Sequence, residues 1–280
     1  MEFHTEFCRK GVHVSIINMF DYTFMQNAVI LLAFASVASG IIGSLIVVNK
    51  MSSFAGSIAH ASFGGLGLAY LAGFHPMLGA SVFAVGAALG VGAISGKNKL
   101  GTDTAMSSLW ATGMALGLVF IKISGRYSSD LMSWLFGSLL TVSKFDIILS
   151  LSLDVLVILV VFFLYKELLA ISYDSEFASV KGVTVGVIRG AFLVLAALST
   201  IVLMKVTGLI MVIALLTIPA AVAEKFSNSL WKMMLWAMLF CFLFGITGLV
   251  IAWHFDLPAG PSIILVASLV YFVSLTRKGN

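Results

Sequence analysis

Apolar runs of bilayer-spanning length follow one another along almost the whole chain, and no fold that must show a polar surface to water can accommodate them. They fall at about 24–48, 51–73, 77–95, 103–121, 145–166, 184–205, 208–224, 230–253 and 261–276. An α-helix needs roughly 20 apolar residues to cross a bilayer, and inside lipid only helices or a closed barrel satisfy every backbone polar group. Runs this long predict an all-α membrane protein, a polytopic helical bundle of eight to ten transmembrane helices. The seventh and last runs are short, which leaves the count open within that range. The breaks carry turn and charge signals: Asn49-Lys50, His75-Pro76, residues 96–101, Ser124 to Asp130, Lys166 to Lys181, and Asp256-Leu-Pro-Ala-Gly-Pro261. Only 10% of the residues are charged, against roughly 25% in a soluble domain.

The 280 residues are used up by the crossings, so no soluble domain is expected and any energy source must lie on another chain. The predicted division is a surface segment over 1–23, one transmembrane domain over 24–276, and a cytoplasmic tail over 277–280. The first apolar run has no small-residue cleavage site behind a basic flank and is expected to stay in the mature protein. Placing Arg277 and Lys278 in the cytoplasm and alternating backwards also puts Lys50, Lys97, Lys99, Lys166, Lys181, Arg189, Lys225 and Lys232 inside. Lys122, Arg126, Lys144 and Lys205 then lie outside, a bias that agrees with the positive-inside rule. Nine spans would also leave the N-terminus outside with Arg9 and Lys10, against that rule. Either one short run does not cross, or the first twenty residues lie on the surface. The net charge of +4 reflects retained cytoplasmic lysines and arginines and gives no argument for nucleic acid.

Small residues four apart, in Gly86-Ala-Ala-Leu-Gly90 and Gly113-Met-Ala-Leu-Gly117, are expected to pack helices within the chain. Cys8 and Cys241 show neither metal spacing nor a disulfide framework and read as packing residues.

Chemistry concentrates in Lys50 to Tyr70, KMSSFAGSIAHASFGGLGLAY, a run of small residues with His60 as its single ionisable group beyond Lys50. An ionisable group at this depth usually faces a protein interior or a watery path, and imidazole is a common ligand for zinc and related ions. His60 reads either as a transport-site ligand or as a histidine bonded to a neighbouring helix. Asp154, inside LSLSLDVLVILVVFFLY, needs a partner or a proton. It reads as a metal oxygen or, with more weight, as a carboxyl bonded to a Ser or Thr of another helix. Asp103 is expected to cap the fourth span. Asp130 and Asp146 flank an apolar stretch on the outer side, where they could help admit cations or simply end helices.

The run KMSSFAGSIAH resembles the second-helix signature of the membrane permease subunits of zinc, manganese and iron ABC importers. Tyr173-Asp-Ser-Glu-Phe-Ala178 with Gly182 resembles their cytoplasmic loop. Val206-Thr-Gly-Leu-Ile with Leu216-Thr-Ile-Pro-Ala-Ala221 resembles a later helix, and Asp256-Leu-Pro-Ala-Gly-Pro261 the turn before the last span. The resemblance runs from about residue 24 to 276 and implies a type II ABC importer-like bundle in a bacterial or archaeal plasma membrane. It implies a divalent metal ion (zinc, manganese or iron) as cargo, ATP on partner subunits, alternating access, a second permease copy in a homodimer, and an extracytoplasmic metal-binding protein. It also implies a coupling segment near 167–183, with Asp174 and Glu176 at the start of a docking helix and Ala178 and Gly182 permitting close approach to the ATPase. Many relatives carry Asp-x-x-x-His; here the position four before His60 is Gly56. Any other oxygen ligand must then come from another helix, backbone, water or a second His60.

His4, His13, His75 and His254 are too widely spaced for a ligand cluster. Trp110, Trp134, Trp231, Trp236 and Trp253 include several expected interfacial anchors. No G-x-x-x-x-G-K-[ST], H-E-x-x-H, G-x-S-x-G or paired redox cysteine occurs. The chain is therefore expected to bind no cofactor and catalyse no reaction. The remaining readings are a permease for a metal chelate such as a siderophore or corrinoid, kept open by the missing acid at Gly56, and a proton-coupled carrier working through Asp154.

Overall fold

The computed structural model describes residues 19, 21–95, 99–125, 134–135, 137, 144–209 and 211–276. They form eleven helices: α1 Thr23–Val48, α2 Ser52–Ala72, α3 Pro76–Ser95, α4 Lys99–Ser124, α5 Lys144–Phe163, α6 Tyr165–Tyr173, α7 Ser175–Val180, α8 Val185–Thr207, α9 Val212–Glu224, α10 Leu230–Phe255 and α11 Ala259–Thr276. Among the described residues no strand occurs. Punctuation read from the sequence sets the ends. Gly73 closes α2 at φ +78°, a left-handed conformation that costs glycine little. Pro76 opens α3, where its missing N–H would have had no helical partner.

Nine of these helices follow the nine apolar runs, but seven are both long and apolar enough to cross a membrane: α1, α3, α4, α5, α8, α10 and α11. The expected count of eight to ten is lower by this measure for two reasons. α2 has 21 residues but is diluted by serine, glycine and His60, and α9 has 13, about 20 Å at 1.5 Å per residue.

Contacts at the helix ends sort them onto two opposite faces. On one face Asn49 Nδ2, after α1, donates to Ser172 Oγ of α6 at 3.0 Å, and Lys225 Nζ, after α9, donates to Ser274 O of α11 at 2.8 Å. On the other, Asp146 at the start of α5 meets Lys205 near the end of α8, 3.8 Å apart. There too the Tyr22 and Phe24 rings gather on Trp253 with centroids 5.8 and 6.1 Å away, an aromatic cluster at helix ends as expected for an interfacial belt. The face bearing α6 and α7 is the one that the sequence-based orientation expects in the cytoplasm.

α1 and α2 are the centre of the bundle. The most apolar stretch of α1 is 72% buried, against 22% for α4 at the periphery, and from Phe54 to Gly67 every residue of α2 is buried. The α2–α4 crossing is a backbone contact. A Cβ added at Gly67 would lie 2.5 Å from Gly117 O, and one at Gly113 would lie 2.5 Å from His60 O. The Gly113–Gly117 pair thus packs within the chain as expected. Gly86 and Gly90 face open space instead, so the parallel expectation for that pair is not met.

The sequence also explains one polar contact in the core. Pro219 lies inside α9 and lacks the N–H that would bond the carbonyl of Leu215. Ser39 of α1 supplies the missing donor, its Oγ bonding Leu215 O at 2.7 Å. Close to this bond Gly43 of α1 lies against Leu216 O, where any side chain would collide. Other buried hydroxyls turn back to their own helices, among them Ser36 to Leu32 O and Ser44 to Gly40 O, both at 2.7 Å.

Candidate functional site

His60 sits mid-helix in α2, on the turn that α4 crosses at Gly113. It is 8% exposed, and its Nδ1 has no hydrogen-bond partner. The expected neighbouring-helix bond is therefore not made by that nitrogen. What holds the ring is Trp110 of α4, stacked on it with centroids 4.3 Å apart and planes 17° from parallel. A stack fixes the plane of an imidazole while leaving its in-plane lone pair free, which suits a ligand awaiting a cation.

Gly56 occupies the preceding turn of the same face. A Cβ there would lie 2.5 Å from Ile213 Cδ1 of α9 and 2.6 Å from Trp110 Cζ3. The position where many relatives carry the acid is thus filled by an indole and an isoleucine. Trp110 lies near the middle of α4, away from the helix ends where interfacial tryptophans sit, and no linear pattern signals the stack.

Asp154 is 4% exposed on α5, and its Oδ2 has no hydrogen-bond partner. The bond from a Ser or Thr of another helix is not made to that oxygen. α5 packs chiefly on α1, whereas α2 packs chiefly on α4 and α3, so the fold does not gather Asp154 and His60 into one centre. Among the described residues no three His, Cys, Asp or Glu side chains converge as a metal cluster.

On the face opposite α6 and α7, Asp146 lies beside Lys205, whose ammonium also stands 4.9 Å from the Trp134 ring centroid. These two residues border a small cavity with Leu31, Met77, Leu149, Ser150 and Val202, about 10 Å³ in volume, the room of a single water. A carboxylate beside an ammonium is a poor lure for cations. Asp130 lies outside the described residues. Asp103, expected as a cap, lies one turn inside α4, because that helix starts at Lys99.

The polar segment over 167–183 forms α6 and α7. Asp174 is the N-cap of α7, its Oδ1 accepting from Glu176 N and Phe177 N at 3.0 Å each. Glu176 is exposed in the first turn. Gly182 takes φ +86° in the turn that follows, with nothing near a would-be Cβ. Ala178 is buried at 1% against the chain's own bundle, so it seats the helix where a docking contact was expected. The side chains that project are Tyr173, Phe177 and Val180, at 80%, 58% and 85% exposed. Their signal in the sequence was apolar residues inside an otherwise polar loop.

Comparison with known proteins places these features. The profile of the ABC 3 transport family matches residues 21–278. An uncharacterized membrane protein of Synechocystis is 41% identical over 264 residues, 94% of each chain. The manganese transport system membrane protein MntC of Listeria monocytogenes is 33% identical over 256 residues, 91% of each. Among solved structures, PsaBC from Streptococcus pneumoniae in complex with Fab superposes with a TM-score of 0.83 at 30% identity, over 92% of this chain and 94% of that one. With seven helices suited to the bilayer and its whole described bundle matched, the chain belongs to the ABC 3 transport family, as a multi-pass plasma-membrane transport subunit and not an enzyme.

Proposed function

We propose that the chain is the membrane permease of an ABC importer for divalent metal ions, manganese or zinc before iron, and that His60 lines the path. The observation that carries this reading is His60 itself: an imidazole in the middle of a membrane helix, held by its face, with one nitrogen left unpaired. Burying a polar nitrogen without a partner costs about 1–3 kcal/mol, and a transported cation supplies the partner transiently. The manganese transport name of the Listeria relative supports the cargo class. α7 would dock on a cytoplasmic ATPase through Tyr173, Phe177 and Val180, with Asp174 and Glu176 shaping its start and Gly182 its exit. ATP is bound and hydrolysed by that partner. Two permease copies, an external metal-binding protein and alternating access complete the scheme, and Asp154 serves as a buried polar group of α5 apart from His60.

The test is metal uptake by the complete transporter with His60→Ala. The variant should assemble with its ATPase at the wild-type level and take up little manganese or zinc. Normal uptake by a well-expressed variant would sink the assignment of His60.

A further inference from the structure

Gly56 and His60 are four residues apart on α2, and positions so spaced share a face. Two helices meet in front of that face. Ile213 of α9 reaches the Gly56 position with Cδ1, the end of a flexible side chain, whereas Trp110 of α4 reaches it with the rigid edge of its indole. The same indole stacks on the His60 imidazole. Trp110 therefore shares the space of the missing acid with Ile213 and also grips the histidine.

We propose that Trp110 is a positioning and specificity-determining residue of the His60 site: its indole occupies the ligand position beside Gly56, and a divalent cation reaches the His60 nitrogen only when the indole turns aside. The choice of a cation as visitor rests on the importer reading above; the closure of the site by Trp110 stands on packing alone. Three observations support it. His60 is 92% buried by the fraction exposed, 8%, and yet its Nδ1 is unpaired, so the ring is enclosed without being used up. Trp110 is 38% exposed, so the indole has an outward direction in which to swing without emptying the core. Finally, a carboxylate at position 56 would need the indole to move as a unit, while Ile213 could give way by rotating its terminal methyl. A site with imidazole and no α2 carboxylate favours borderline cations such as zinc over the hard oxygen-seeking manganese ion.

Carbethoxylation of histidine in membrane vesicles holding the complete transporter tests the closure without reference to transport. His75, exposed before α3, is the reference within the same chain. His60 should react far more slowly than His75 in the wild type. Trp110→Ala should speed His60 several-fold and leave His75 unchanged, while Trp110→Phe, which keeps an aromatic face, should remain slow. A His60 as reactive as His75 in the wild type, or one indifferent to Trp110→Ala, overturns the proposal. The second arm is a substitution cycle read as manganese and zinc uptake. Gly56→Asp alone should lose uptake by about tenfold, and Gly56→Asp with Trp110→Ala should recover most of it with a shift towards manganese. Full activity of Gly56→Asp beside an intact Trp110, or a double variant no better than the single one, also overturns it. Absence of all metal uptake by the wild-type transporter would count against the importer reading, and the labelling comparison would still decide the role of Trp110.

Discussion

Ser39 of α1 donates to the carbonyl of Leu215, the acceptor that Pro219 leaves open in α9, across 2.7 Å. The bond ties the central helix to the short one, which cannot span the bilayer unaided. Ser39→Ala should therefore lower stability by about 1 kcal/mol, the usual worth of a hydrogen bond between membrane helices. Thermal unfolding of the detergent-solubilised transporter measures it. Pro219→Ala restores the helical N–H, so in the Ser39→Ala background it should recover part of the loss; an additive further loss would refute this account of the bond.

The α2–α4 crossing makes a sharper contrast. Gly113→Val places carbon atoms within the backbone of Ala61 and against His60 O, and overpacking of this kind typically costs about 1–3 kcal/mol or prevents folding. Gly90→Ala meets nothing within 4 Å and should leave unfolding temperature and yield unchanged. Equal sensitivity at the two positions would contradict the packing described.

At the outer face, Lys205 and Asp146 are 30% and 11% exposed in their side chains and 3.8 Å apart. Asp146 is buried, but Lys205 is partly open to water and the contact is loose, so the pair is worth about 0–1 kcal/mol and Lys205→Met should change stability little. Its effect should appear in uptake instead. Removing the ammonium makes the local potential around Asp146 more negative, and the apparent KM for metal should fall at low ionic strength and return towards wild type as salt screens the surface. A KM unmoved at both salt concentrations would exclude a role for Asp146 in admitting ions.

On the opposite face, Val180→Asp and Phe177→Ala should weaken copurification of the ATPase while sparing the permease fold, because both side chains already face outward. Asp174→Ala removes two cap bonds to α7 and should cost about 1 kcal/mol of local helix stability. Its readout is faster amide exchange at Glu176 and Phe177 with looser coupling of ATP hydrolysis to uptake. Tight coupling in all three variants would mean that α7 is not the docking element.

The crossings were legible because lipid leaves a chain few choices: each long apolar run must become a helix, and the nine runs did. Gly113 and Gly117 were legible for the same reason, as small residues on one face. Gly86 and Gly90 carry the same spacing and face open space, since spacing identifies a smooth face and not its neighbour. The same limit hid Trp110. Its stack on His60 depends on how α4 is rotated against α2, and no single helix encodes that. It also misdirected Ala178, whose burial follows from the roll of a helix only 6 residues long. His60 could be found because an ionisable group in an apolar run is conspicuous by its cost; its aromatic partner costs nothing in lipid and so leaves no trace in hydropathy.

The mixed character of α2 has a consequence for how the protein is made. It is long enough to cross but falls short of the apolarity of the seven membrane-suited helices, so partition into lipid as each segment leaves the translocation machinery gives it a weak hold. Its neighbours in sequence, α1 and α3, both have the needed apolarity. α2 packs chiefly on α4 and α3, which follow it in the chain, so the serines, glycines and histidine that serve the mature helix tie its integration to segments made after it.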